Sequence, residues 1–304
     1  MNTKRHTVAF LNPKTCGIYK SGGVRYRTDP ATGKRTEEVD NELIAAVDAY
    51  VEGVPSACRF DVNESDVFTT GVIVPTYYDD RYNQPMRELL RDLGTEGITL
   101  GALLDAKILT VRGGHGSPGN DQRAGTIPYI KVSDIRAMRM NINPTNLVTA
   151  KVAERFWRGK NSGLQPWDVL TPNRASSNIG EFAIVVPGEE QVVLTKEMFV
   201  FRVINTSVWE PFYLFWALCL SAVRNQWRRI ALMQTNREDC GSRFREIIIP
   251  LPKSQAWARS QADAFRNYFE TIAKARVEFS AKLSATGLSF IASAPGNDET
   301  DEEG

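Results

Sequence analysis

Three stretches of the chain concentrate side chains that hydrogen-bond in a directed way. TPNRASSNIG (171–180) places Asn173, Arg174, Ser176, Ser177 and Asn178 close together, and MQTNREDCGSR (233–243) carries Gln234, Asn236, Arg237 and Arg243. GGHGSPGNDQRAG (113–125) holds His115 and Gln122, preceded by Arg112 and followed by Lys131 and Arg136. An Arg guanidinium pairs bidentately with guanine, and an Asn or Gln amide with adenine, in a major groove. Lys, Arg, Ser and backbone N–H groups hold phosphates. Solvated loops of ordinary proteins use the same residues, so these types permit nucleic-acid contact without establishing it.

Residue sets for bond-making chemistry are missing. An amino-methyltransferase needs a Gly-rich turn for S-adenosylmethionine and an Asn/Asp-Pro-Pro-aromatic element that holds a flipped base. Asn12-Pro13-Lys14-Thr15 lacks the second proline and the aromatic. Asp105-Ala106-Lys107 fits the acid–x–Lys half of a nuclease signature, but no Pro-Asp precedes it. His6 and His115 are the two histidines, and His115 sits in a glycine-rich loop rather than beside a nucleophile. A GxxxxGK[ST] phosphate loop is absent, since Gly22 to Gly33-Lys34-Arg35 has the wrong spacing. The cysteines Cys16, Cys58, Cys219 and Cys240 form no CxxC pair, so the expectation is no metal site, with free thiols that suit a reducing cytoplasm.

Bulk properties fit a globular chain with a real core. There are 304 residues, 42% hydrophobic and 24% charged, with a net charge of +1. The neutrality is uneven: Ala294–Gly304 holds five acids and no base, so the remainder is +6 (37 bases minus 31 acids). The start has no apolar signal-like core. Val208–Val223 is apolar but short, contains Glu210 and ends at Arg224, which reads as a buried helix rather than a membrane span.

Periodicity divides the chain. Residues 1–93 read as a strand (VAFLN), a polar glycine-rich stretch, and a helix in NELIAAVDAYVEG. That helix has Leu43, Ile44, Val47 and Tyr50 on one face and Asp40 or Asn41 as its N-cap. VFTTGVIVPTYYDD reads as a strand and turn, and QPMRELLRDLG as a short helix. Residues 94–252 carry short strands, KILTVRG, TIPYIKVSDI, FAIVVPG, MFVFRVI and REIIIPLP, interrupted by one helix over about 209–233. Residues 253–291 read as a long helix in which spaces of three and four alternate through Ala258, Ala262, Phe265, Phe269, Ile272, Arg276, Phe279 and Leu283, a coiled-coil-type seam. Residues 292–304 read as an acidic disordered tail. The fold class expected is α+β.

Five blocks in this order resemble the specificity (S) subunits of type I restriction–modification systems. GTIPYIKVSDI (125–135) resembles the opening of their target recognition domains, and TLGALLDAKILTVRGG (99–114) the strand that leads into it. LQPWDVLTPNRASSNIGEFAIV (164–185), EPFYLFWALCLSAVRNQWRRI (210–230) and FREIIIPLP (244–252) are similar to the later strand, the central helix and the strand before the long helix. Upstream, VIVPTYYDDRYNQPMRELLRDL (72–93) looks like the pre-domain segment of single-chain methylase–specificity proteins. Many S subunits carry two recognition domains and two long helices, whereas this chain has one of each, and Lys253-Ser254-Gln255 stands where Glu-Gln is common.

The resemblance implies a non-catalytic, cytoplasmic subunit whose 94–252 domain binds double-stranded DNA through the three stretches named above. It implies a methyltransferase subunit as partner, which would hold S-adenosylmethionine, and a restriction nuclease or translocase subunit as a further one. No cofactor is expected on this chain. Phe265, Phe269, Ile272, Arg276, Phe279 and Leu283 would face the partner or a second copy, and residues 1–93 would supply a methylase-docking accessory segment. The competing expectation is a scaffold of a defence complex that does not read sequence. Arg224, Arg228 and Arg229 read equally as a phosphate grip or as an exposed helix end.

Overall fold

A computed structural model describes residues 6–174, 176–204, 208–233 and 238–288, with backbone alone at 232, 233, 238 and 239. The chain divides into two compact units, 1–83 and 84–304. The division precedes the 93/94 boundary expected from periodicity. Helix Gln84–Leu93 packs on helix Ser221–Ile230 and strand Ile248–Pro250, with Met86 in the second unit's core.

In the first unit, strand Thr7–Leu11 pairs antiparallel with Arg59–Asn63. Helix Glu42–Glu52 starts where expected, because the Asn41 side chain accepts hydrogen bonds from the N–H groups of Leu43 and Ile44. Its apolar face is uncovered: Leu43, Ile44, Val47, Tyr50 and Val51 are all exposed, and Ala46 is the helix's one buried residue. The segment read as a strand is helical instead, Glu64–Thr70 followed by Pro75–Tyr78. Gly71, in the left-handed region at φ 63°, ends the first of these, and Pro75 starts the second at a position that needs no N–H. Asp79 is buried and gripped by Arg81 through Nε and Nη2 (2.9 and 2.7 Å), and Arg81 also donates to the Asn12 carbonyl at 2.6 Å.

The second unit bears out the α+β class with a long C-terminal helix. Four antiparallel strands lie in the order Ala183–Ile184, Val169–Pro172, Met198–Val203, Leu109–Gly113. A smaller sheet runs Leu147–Val148, Ile127–Ile130, Val193–Leu194, the last pair parallel. All of Ile127–Ile130 is buried, which explains its unbroken apolar character. The predicted run to Ile135 stops there, and a 3-10 turn at Val132–Asp134 intervenes. Gly125 begins this motif at φ 143° with its α-carbon against Val148, where an added Cβ would fall 2.4 Å from backbone atoms.

The apolar segment read as one helix is two, Pro211–Cys219 and Ser221–Ile230, broken at Leu220 by an extended ψ of 133°. The first is buried on nearly every side, through Phe212, Tyr213, Leu214, Phe215, Ala217 and Leu218. Gln226, fully buried in the second, holds Ile248 by both backbone groups: its amide N–H donates to the carbonyl (2.8 Å) and its Oε1 accepts from the N–H (2.9 Å). A side-chain amide thus completes the hydrogen bonding of the strand that pairs with Gly97–Thr99.

The long helix, Gln255–Ala285, is capped by the Ser254 hydroxyl, which accepts from Trp257 N–H at 3.1 Å. Its seam is shared rather than free. Phe265 and Phe269 meet Phe215 edge-on at 5.7 and 5.5 Å between ring centres, Ile272 packs on the same core, and Arg276 pairs with Glu189. Phe269 is thus buried in the chain's own core, while Phe265, Ile272 and Arg276 are half-buried against it. The apolar helix 211–219 needs a cover, and the near half of the seam supplies it. Beyond that point Val277 and Phe279 are exposed and Leu283 is half-buried. Replacing Phe269, which is 1% exposed, by alanine should cost ~3–5 kcal/mol of the second unit's stability in urea unfolding, while Phe279→Ala, 57% exposed, should cost under ~0.5 kcal/mol. Similar losses for both would contradict this partition of the seam.

Candidate nucleic-acid interface

One end of the four-stranded sheet gathers the polar stretches. Strand Val169–Pro172 runs into Asn173, whose N–H donates to the Glu197 carbonyl and whose carbonyl accepts from Cys240 N–H, each at 3.0 Å. The second bond joins the 171–180 loop to the 3-10 helix Gly241–Glu246 that carries Arg243. Gly114 N–H donates to the Met198 carbonyl at 3.0 Å, bringing the 113–125 loop to the start of the neighbouring strand. A Cβ at Gly114 would lie 1.9 Å from the Thr195 carbonyl oxygen, so only glycine permits this approach. On the other side, the Asn178 amide donates to the carbonyls of Ile135 (2.8 Å) and Val132 (3.3 Å), fixing 132–136 beside the same loop.

The expected DNA-contacting residues separate into those held inside the fold and those presented. Asn178 is 5% exposed, its amide N–H groups go to two carbonyls, and its Oδ1 accepts from the Ser177 hydroxyl at 2.9 Å. It is a pin between loops, which corrects its assignment as a base reader. His115 is corrected likewise. Its Nδ1 accepts from Leu194 N–H at 2.9 Å and its Nε2 donates to the Ser162 carbonyl at 2.8 Å, leaving neither nitrogen for a base. Burial, reinforced by the nearby Arg112 cation, pushes its pKa down to about 4. Arg112 is half-buried beside it and donates to the Ser162 carbonyl at 3.3 Å; burial lowers its pKa, partly offset by Asp168. Arg174 is tied to Glu197 at 2.8 Å.

Ser176, Ser177 and Arg136 are exposed, while Asn173, Lys131, Gln122 and Arg243 are half-buried. Gln122 Oε1 accepts from Gly119 N–H at 3.3 Å, and the Lys131 ammonium lies 5.9 Å from the Tyr129 ring centre. Gln234, Asn236 and Arg237 lie outside the described residues.

Residues that attracted no attention in the sequence complete the frame. Asp168 is buried and takes Arg202 Nε and Nη2 on separate oxygens at 2.7 and 2.6 Å, joining adjacent strands of the sheet. The Trp-Asp pair of the 164–185 block is the visible trace of this bridge. Arg139, opposite Arg136 on a two-residue hairpin, is a further cation of the rim. Elsewhere, Arg224 pairs with Glu181 (2.7 Å) and Arg229 with Glu246 (3.1 Å), so that basic cluster is internal bracing with Arg228 left exposed. Asp105 receives Arg245 Nη2 on both oxygens, at 2.7 and 2.9 Å. Among the described residues no helix is long and apolar enough to cross a membrane, and no group of three His, Cys, Asp or Glu could hold a metal ion.

No protein-family model and no curated protein matches the chain. Among solved structures it is similar to the HsdS subunit from Thermoanaerobacter tengcongensis, with 17% identity and a TM-score of 0.37 over 60% of this chain and 39% of that one. It is similar also to the type I restriction–modification S subunit from M. genitalium, at 11% identity and a TM-score of 0.37 over 94% and 95% of the two chains. The type IIG restriction endonuclease BpuSI aligns at 12% identity and a TM-score of 0.42, over 67% of this chain and 30% of that one. The chain spans less than half of the HsdS subunit and of the endonuclease.

The folded state holds His115 neutral, with its pKa near 4 against 6.5 for a free histidine. Above pH 6.5 both folded and unfolded chains carry it neutral and stability is full. As pH falls from 6.5 towards 4 the unfolded chain takes up the proton first, and stability drops by up to ~3 kcal/mol. His115→Asn should be less stable at pH 7 but lose this part of the acid slope in urea unfolding at stepped pH. Identical slopes would contradict the internal role of His115.

Proposed function

We propose that the chain is a DNA-recognition subunit that makes and breaks no bonds itself and directs a partner N6-adenine methyltransferase to its target. The setting would be a restriction–modification or phage-defence system, in which a nuclease or translocase subunit could join the complex. The observation that carries this reading is the convergence, at one end of one sheet, of polar loops drawn from three distant parts of the chain. A duplex read by direct contact needs such a rim: donors at several positions on a scaffold stiff enough to keep their spacing. The five ordered sequence blocks support the same assignment, since they run through the strands and helices that build the rim.

The remaining surfaces suit assembly. The uncovered face of helix Glu42–Glu52 would dock the methyltransferase, because an apolar helix face of this kind is costly to leave in water. The far part of the long helix, with Val277, Phe279 and Leu283, would pair with a second helix from another copy or a partner. Two copies related by a two-fold axis would read a palindromic, gapped target.

The test is co-expression and co-purification of this chain with the N6-adenine methyltransferases of its source genome, followed by methylome sequencing of the expressing cells. A stable complex that marks one adenine motif is the expected result. A complex that marks none would move the chain to the scaffold reading. Within the rim, Arg243→Ala should weaken binding of the marked duplex by ~1–3 kcal/mol, measured by fluorescence anisotropy. A loss confined to the marked sequence makes Arg243 a base reader, and an equal loss on scrambled DNA makes it a phosphate contact.

A further inference from the structure

The hairpin Ile135–Met140 is built against local preference. Its strands, Ile135–Arg136 and Arg139–Met140, are joined by Ala137 and Met138 alone, both in the left-handed region at φ 52° and 64°. A two-residue turn of this kind favours Asn-Gly, because residues with a Cβ are disfavoured at both positions. Arg136 and Arg139 stand directly opposite each other in the register, a like-charge pair that repels. Met138 at the tip is 40% exposed. Within residues 131–141 the one acid is Asp134, and it is buried, accepting from Lys131 N–H (2.8 Å) and the Ser133 hydroxyl (3.1 Å).

The surroundings hold this unfavourable turn in place. The two N–H groups of the Asn141 amide are shared among the carbonyls of Asp134, Arg136 and Arg139 at 3.1, 3.2 and 3.3 Å, stitching the base of the hairpin. Asn178 grips Ile135 from the neighbouring loop, and the hairpin's strands pack on Val169–Pro172 and Ala183–Ile184 with Ile135 and Met140 in the core, leaving its turn exposed beside Ser176 and Ser177. Strain that persists because its surroundings over-determine it points to a use for the strained element. Here the element is an anchored two-residue turn with an exposed apolar tip, flanked by two arginines, of which Arg136 is exposed with its Nε donating to the Ser133 carbonyl at 3.0 Å and Arg139 is half-buried.

We infer that this hairpin is a wedge that enters a groove of duplex DNA, with Met138 pressing between base pairs and Arg136 and Arg139, side by side on one face, taking phosphates of the backbone they face. A polyanion would relieve the arginine pair, and an apolar tip that partly unstacks a base step is how minor-groove proteins kink a duplex. The inference rests on the DNA reading above and adds that this chain deforms its target. Specificity would then arise in part from how easily a step unstacks, at a position where no base edge is contacted.

The test uses the full chain and duplexes enriched from a random-sequence pool, carrying 2-aminopurine at successive positions. Wild-type chain should raise fluorescence several-fold at one step. The double variant Ala137→Asn/Met138→Gly supplies the residues that such a turn prefers, so its Tm should equal or exceed that of the wild type while the fluorescence rise is lost. Its dependence of affinity on salt should match the wild type, reporting intact cations. Arg136→Ala and Arg139→Ala should each lower the slope of log affinity against log salt by about 1. An undiminished fluorescence rise in the double variant, a lower Tm for it, or no unstacking by the wild type would overturn the wedge. Failure to retain any duplex would overturn the DNA reading itself and the wedge with it.

Discussion

Burial of helix Pro211–Cys219 between the four-stranded sheet and the long helix is the interaction on which the second unit depends. Phe215 packs edge-on against Phe265 and Phe269 on one side, and Phe212 meets Trp167 at 4.8 Å on another. Tyr213 spans the core to reach the Pro250 carbonyl at 3.0 Å. Each large ring contributes on the order of 2–3 kcal/mol by leaving water. Without the long helix, one flank of this apolar segment would face solvent. The long helix is thus part of the domain's core before it is anything else.

That core fixes the sheet, and the sheet's end fixes the loops. The rim is assembled by backbone and amide hydrogen bonds, in which Asn173, Asn178 and Gly114 tie together segments far apart in sequence. The Asp168–Arg202 bridge and the His115 contacts stiffen the strands and loops behind it. A polar side chain buried and used for such internal bonds has less hydrogen-bonding capacity left for a ligand. The division of labour follows: buried amides and the imidazole set the spacing, and exposed hydroxyls and guanidinium groups are presented at it.

The sequence was most legible where periodicity is strong. The α+β class, helices 42–52 and 84–93 and the long helix follow from apolar spacing, with the Asn41 cap for the first of them. VFTTGVIVP misled because its β-branched and aromatic residues favour strands, while Gly71 and Pro75 punctuate two short helices there. The break at Leu220 is marked only by Ser221 in an otherwise apolar run. The seam could not be apportioned from spacing alone, since the same 3-4 pattern serves a helix packed on its own domain or on another chain. His115 and Asn178 were drawn into the candidate site by residue type, and burial alone separates a loop pin from a base reader. The Arg136–Arg139 hairpin escaped notice because its turn carries neither Asn-Gly nor Asp-Gly.

The central claim is that this rim reads DNA sequence. Purified chain incubated with a random-sequence duplex pool at near-physiological salt, through repeated rounds of capture and sequencing, tests it most directly. The account predicts enrichment of one short motif, with affinity for it well above that for the starting pool. Retention of duplex with no enriched motif, and an affinity governed by salt alone, would contradict it.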